Sequence, residues 1–290
     1  MARNRLKLFT MKKLILGIAA VATFTTASAQ HRTTNVYPEN TAIEGKTGFY
    51  VSVQGGYNLP IAGQTLMVDE DFTGASDSYD DVMGTFGKGA NFGVGLGYML
   101  TPNLGAELGF NYLLGAEYTA TSRSSLANVT QKMRGNMVQI SPSVVLRTNQ
   151  SGPLNHYVKA GLLIGVGSKV TEEWNATSGT NYAFSKEEYT GNASLGFTGA
   201  VGLDYAVNNR ISLFGEIKGN ALTYNPKESE YVQASINGVD QLPNMTTRDR
   251  YTVYLDSYVD DGTANEADQQ SRISMPFSSI GVNVGLRFKF

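Results

Sequence analysis

Cysteine is absent from this 290-residue chain, and histidine (two), tryptophan (one) and proline (eight) are scarce. No disulfide framework can form, and no cysteine is available to carry a lipid anchor. The two histidines, His31 and His156, fall beside the end of a leader and in a predicted short turn. Gly-x-Ser-x-Gly, His-Glu-x-x-His and phosphate-loop patterns are all missing. Only acidic pairs in loops remain as candidates for chemistry, so no enzymatic activity, cofactor or metal centre is expected. A run of roughly 20 apolar residues, the length a membrane helix needs, is also missing. By hydropathy alone the chain past its leader would pass for soluble. Lys and Arg number 23 against 25 Asp and Glu, a formal charge of −2. That balance argues against nucleic acid as a partner.

What is present begins with the leader. Arg3, Arg5, Lys7, Lys12 and Lys13 precede an apolar run from Leu14 to Phe24, which leads to Ala27-Ser28-Ala29. A basic region, a short apolar region and an A-x-A site describe a secretory signal peptide over residues 1–29, cut before Gln30. Met11 opens a complete signal by itself, so Met1 and Met11 are both candidate starts. Losing the five basic residues moves the formal charge to about −7. The 32 glycines are about 11% of the chain, against roughly 7% on average, and they lie inside alternating segments.

Eight segments alternate polar and apolar residues with period two. They are Thr47–Asn58, Lys88–Leu100, Leu104–Tyr118, Arg134–Thr148, His156–Val170, Tyr189–Tyr205, Arg210–Tyr224 and Ser279–Phe290. In the last, Ile280, Val282, Val284, Leu286, Phe288 and Phe290 lie opposite Gly281, Asn283, Gly285, Arg287 and Lys289. Each is long enough to cross a bilayer as a tilted strand of about 9–11 residues. Connections at Thr101–Asn103, Asn149–Asn155 and Ala206–Asn209 are short, whereas 59–87, 119–133, 171–188 and 225–278 are long. In an up-and-down meander this gathers all short turns at one end and all long loops at the other.

Alternation alone does not say which face is outside, since a soluble lipocalin-like barrel turns its apolar side inward. The polar faces here are rich in glycine and charge, which suits the narrow interior of eight strands. Aromatics near the ends of the apolar faces suit two interfacial girdles: Phe49, Tyr57, Phe92, Tyr98, Tyr118, Tyr205, Phe288 and Phe290. The fold class is therefore all-β, an eight-stranded antiparallel up-and-down transmembrane β-barrel over 47–290.

The chain ends Asn283-Val-Gly285-Leu-Arg-Phe288-Lys-Phe290. This resembles the terminal signal of outer-membrane β-barrels in Gram-negative bacteria. With the strand pattern, the chain resembles the small eight-stranded barrel family shared by OmpX and the transmembrane domain of OmpA, in the barrel-only form common in Bacteroidota. The resemblance covers almost the whole mature chain, yet it rests on architecture and the terminal signal. It implies integral outer-membrane localisation and contact with outer-membrane lipid and lipopolysaccharide. It also implies recognition by the barrel-insertion machinery through Asn283, Gly285, Phe288 and Phe290. Short turns and the segment 30–46 would then be periplasmic, and long loops extracellular. The chain stops at the last strand, so the cell-wall anchoring of full-length OmpA is not implied.

Charges on the polar faces predicted to enter the lumen are Glu107, Arg147, Lys159, Lys169, Asp204, Glu216, Lys218, Arg287 and Lys289. Buried charges need partners, and the resemblance implies a lumen network, assigned here to Glu107, Lys159, Glu216, Lys218 and Arg287. Eight strands leave no wide channel; porins need about 16. The expected role is thus structural or surface-interacting, with a narrow porin-like or OmpW-like channel for small solutes as the alternative. Loops one, three and four are acidic, a surface for a protein partner or, through carboxylates such as Asp256, Asp260 and Asp261, for divalent cations. Tyr251–Val259 alternates, so strands seven and eight are expected to continue as a hairpin with an edge for β-augmentation. Deleting Phe288–Phe290 is expected to deplete heat-modifiable barrel from outer-membrane fractions. Normal levels would refute the assembly role.

Overall fold

Period-two alternation becomes strand in eight long stretches of a computed structural model, which describes residues 47–61, 63–74, 76–148, 152–259 and 262–290. The leader and residues 30–46 lie outside the described residues. The strands are β1 (Gly48–Pro60), β2 (Gly89–Met99), β3 (Leu104–Gly115), β4 (Asn128–Arg147), β5 (Leu154–Ser178), β6 (Ser194–Ala206), β7 (Ile211–Ala221) and β8 (Ser279–Lys289). Each pairs antiparallel with the next, and β8 returns to β1 in a register running from Tyr50↔Lys289 to Pro60↔Ser279. The ring is closed, so the wall has no free edge.

Facing follows the pleat. Along β3, Gly105, Glu107, Gly109, Asn111, Leu113 and Gly115 are buried while every residue between them is exposed. Outside, Phe49, Tyr98, Tyr205 and Phe290 mark the short-turn end, and Tyr57, Phe92, Tyr112 and Phe197 the long-loop end, all exposed. Phe49 and Tyr57 stand eight residues apart, about 20 Å at ~3.3 Å per residue and ~40° tilt, close to the ~25 Å apolar band of a membrane barrel. Tyr118 belongs to neither belt, which corrects the girdle expectation. The strand is interrupted at Ala116-Glu117, and beyond the interruption Tyr118 turns inward, its hydroxyl donating to Thr85 O at 3.0 Å.

A second correction comes from β5. Its pairing with β4 shifts between Asn136↔Lys169 and Val138↔Val166, and Gly167 takes φ +57°. The extra residue at this bulge reverses facing beyond it. Lys169 therefore lies outside the lumen, its side chain 48% exposed and 2.6 Å from Glu188.

At the long-loop end the wall continues as sheet. Strand Asn181–Thr190 pairs with the outer half of β5, Glu228–Ile236 joins it, and Tyr251–Leu255 and Asp268–Ser271 follow. On the other side Tyr118–Arg123 pairs with β4, Gln64–Asp71 joins it in parallel, and Ser78–Gly84 forms the outer edge. Strands seven and eight continue as a pair only through Thr223–Tyr224 with Met275–Pro276, and the middle of loop four pairs with loop three instead of completing that hairpin. The expected segment Tyr189–Tyr205 is also split, at Gly191-Asn192-Ala193. A Cβ at Gly191 would lie 2.7 Å from Lys227 N, so only glycine lets loop four cross there.

The apolar core sits in the upper lumen. Gly84–Gly87 and Met275–Phe277 dip into the barrel mouth, tied by Phe86 N to Pro276 O at 2.8 Å, Phe277 N to Leu222 O at 2.9 Å and Thr85 Oγ1 to Ser278 O at 2.7 Å. Phe86 and Phe277 pack with Leu113, Met137, Leu163 and Tyr224. Val284 and Leu162 face outward near mid-strand. Arginine at either is expected to cost about 2–4 kcal/mol, read as a lower urea midpoint for vesicle-inserted protein. At inward Gly285 even alanine is expected to destabilise, since its Cβ would lie 2.2 Å from Val53 O.

Candidate functional site

Below the plug the lumen is filled in layers. Nearest the short turns, Arg287 is fully buried and surrounded by the rings of Tyr50, Tyr157 and Phe214 at 4.8, 5.0 and 5.0 Å. Asp204, also fully buried, lies 2.7 Å from Arg287, 3.3 Å from Arg147 and 3.9 Å from Lys289. Each ring of the cage lies against a glycine of the neighbouring strand. A Cβ at Gly97, Gly202 or Gly285 would stand 2.0, 2.4 or 2.7 Å from Tyr50, Tyr157 or Phe214 respectively. The glycines on the polar face are thus room for aromatics.

One layer higher, Lys159 Nζ bridges Glu107 at 2.9 Å and Glu216 at 2.8 Å. Tyr50 and Tyr157 donate their hydroxyls to those same carboxylates, each at 2.9 Å, and so join the two layers. Asn283 Nδ2 donates to Glu216 at 3.2 Å. Lys218 faces the same space, but no ion pair among the described residues includes it. Above lie amides and hydroxyls: Gln54 donates to Asn111 at 2.7 Å, Asn91 to Asn58 at 3.0 Å and Thr198 to Asn220 at 2.8 Å. One void, bounded by Gln54, Glu107, Asn111, Lys159 and Lys218, measures about 20 Å³, room for about one water.

Of the five network residues, the structure brings Glu107, Lys159 and Glu216 into contact and sets Arg287 one layer away. Asp204, Arg147 and the aromatic cage were not part of the assigned network, although facing glycines were a legible sign of inward rings. Of the terminal-signal residues, Asn283 and Gly285 point inward, while Phe290 is 81% exposed with its N–H on Phe49 O at 3.0 Å.

Outside the barrel, Asp69, Glu70, Asp71 and Asp80 line a cleft of about 510 Å³ with Arg123. Three of its carboxylates are engaged: Asp69 accepts from Thr121 N at 2.6 Å, Glu70 from Ser122 at 2.9 Å and Asp71 from Thr73. The Thr73 hydroxyl and N–H, both bonded to Asp71, hold its carboxyl below the usual range. Among the described residues no three His, Cys, Asp or Glu are grouped to hold a metal. Asp260 and Asp261 lie outside the described residues. His156 is exposed near the short turns, its backbone N–H on Thr148 Oγ1.

Lys159→Met would leave Glu107 and Glu216 buried without their cation, an expected loss of about 3–5 kcal/mol. Adding Glu107→Gln and Glu216→Gln is expected to recover most of it, with the urea midpoint of the heat-modifiable band as readout. An unchanged midpoint in the single variant would refute the bridge.

A family model described as outer membrane protein beta-barrel domain matches residues 16–239. No curated protein sequence matches. Among solved structures, the chain is similar to Neisserial surface protein A at 14% identity, covering 84% of this chain and 98% of that one with TM-score 0.40. OprG of Pseudomonas aeruginosa gives 13%, 86%, 99% and 0.42 in the same order. The outer-membrane protease OmpT of Escherichia coli gives 9%, 89%, 99% and 0.29. Likenesses this remote, spanning a surface protein and a protease, carry no functional argument.

Proposed function

This chain belongs to the outer membrane protein beta-barrel domain family, and from that premise we propose that it is a closed, non-enzymatic scaffold. In this reading it seals its own lumen and holds a sheet of long loops at the cell surface. The observation that carries the reading is the plug: Phe86 and Phe277 fill the mouth, and the cavity beside the Lys159 bridge beneath it has room for about one water. A solute path would require the plug to leave and the Lys159 bridge to open together.

The outward apolar band is the contact with membrane lipid and lipopolysaccharide, and the exposed Phe290 on the terminal strand is what the insertion machinery would read. A protein partner would meet the wing built from Gln64–Asp71 and Ser78–Gly84. That wing exposes Tyr79, Met83, Asp80 and Asp81 on an open strand edge, so it suits a partner with a basic surface.

Purified protein in planar bilayers is expected to show no single-channel steps. Steps in the wild type that vanish on neutralising Glu216 would overturn the scaffold reading in favour of a narrow channel.

A further inference from the structure

Above the plug, two carboxylates meet without a cation. Glu172, on the outer half of β5, is 7% exposed and accepts three hydrogen bonds from neutral donors. They come from Trp174 Nε1 at 2.5 Å, Gln131 Nε2 at 2.5 Å and Tyr189 Oη at 2.7 Å. The same Tyr189 hydroxyl lies 3.1 Å from Glu187 Oε2. Ser229 also hydrogen-bonds Glu187, and its oxygen is 3.1 Å from Tyr254 Oη. The Tyr254 ring stacks on Tyr189 with centroids 6.3 Å apart.

Counting protons decides how this hub is built. A tyrosine hydroxyl has one proton to give. Glu172 takes the shorter contact and already accepts from two other donors, so the Tyr189 proton points to Glu172. The contact between Tyr189 and Glu187 then joins two oxygens with no proton between them unless Glu187 supplies one.

The surroundings offer Glu187 no positive charge. Facing the hub are Gln131 and Met133 from β4, Glu172 and Trp174 from β5, Ser229 and Tyr231 from Glu228–Ile236, and Tyr254 from Tyr251–Leu255. On the same elements and the short helix Thr247–Arg250, Lys132, Lys169, Lys186, Arg248 and Arg250 pair with Glu117, Glu188, Glu173, Asp268 and Glu230, while Arg134 is exposed on the outward face of β4. Burial, reinforced by the charge on Glu172, raises the Glu187 carboxyl above the usual range despite the bonds from Ser229 and Tyr189. Burial also raises the Tyr189 phenol and pushes Tyr254 up to about 12, so both remain donors.

We propose that Glu187 is a proton switch over the plug. Protonated, it donates to Tyr189 and completes a chain from Glu172 to Ser229 that ties loops three and four together. When it releases its proton to water, a second negative charge stands beside Glu172 and the tie is lost. The direction follows from the raised carboxyl: the stabilisation is present at low pH and disappears as pH rises through the folded-state value. Tyr189 and Tyr254 belong to the apolar core that contains Phe277, so the step loosens side-chain packing above the plug while the backbone ladder between loops three and four remains.

Trp174 is the only tryptophan of the chain, and its N–H sits on Glu172, so intrinsic fluorescence reads the hub directly. Full-length protein refolded in phospholipid vesicles is titrated from about pH 4 to 9. The expected result is a one-proton emission change above the ordinary glutamate value of about 4.3, with several-fold faster trypsin cleavage in loop four on its alkaline side. Glu187→Gln, whose amide can donate to Tyr189 without titrating, should abolish the change and keep the low-pH spectrum. Glu172→Gln, which removes the like charge, should move the midpoint to lower pH. A flat wild-type titration overturns the proposal, as does a Glu187→Gln variant that titrates like wild type or an unmoved midpoint in Glu172→Gln. None of these outcomes bears on the closed-scaffold reading, which bilayer conductance tests separately.

Discussion

Hydrocarbon offers a backbone N–H or C=O no water to bond, and the seam between β8 and β1 is where that demand is finally met. The first and last strands must pair over their full length, from Tyr50↔Lys289 to Pro60↔Ser279. Once the ring is closed, eight strands enclose a lumen so narrow that its filling is dictated. Glycines of the inner face stand opposite the rings of Tyr50, Tyr157 and Phe214, and the rings in turn surround Arg287. Closure, glycine placement and the aromatic cage are consequences of one constraint.

The same narrowness governs the charges. Lys159 between Glu107 and Glu216, and Asp204 between Arg287 and Arg147, are triads in which every member touches an opposite charge. Tyr50 and Tyr157 couple the two layers through their hydroxyls. The plug of Phe86 and Phe277 caps these layers on the long-loop side.

The strands of the wall were legible because their outward faces are predominantly apolar between the belts; β3 alternates at every residue. Legibility failed wherever the parity of the chain changes. The bulge at Gly167 carried Lys169 to the outside, and the interruption at Ala116-Glu117 carried Tyr118 to the inside. Neither leaves a mark in a count of alternating residues, since one extra residue in a strand looks like ordinary sequence. The loops were misjudged for a related reason. Their acidic residues read as a surface for partners or cations, yet Glu172 is buried, because a sheet continuing above the membrane has an inner face of its own. The lumen charges were legible as residues, whereas their division into two layers was not, because that depends on stagger around the ring.

The outer edge strand Ser78–Gly84 has a consequence for crowding. Outer-membrane proteins share a plane at high density, and an unpaired strand invites a neighbouring copy to add its own. In full antiparallel self-pairing of these seven residues, Asp81 would stand directly opposite Asp81 of the other copy, with Asp80 one position away on each strand. Like charges so placed repel. The edge therefore resists joining barrels of its own kind into chains, while its hydrogen-bonding groups stay open to a strand of opposite charge.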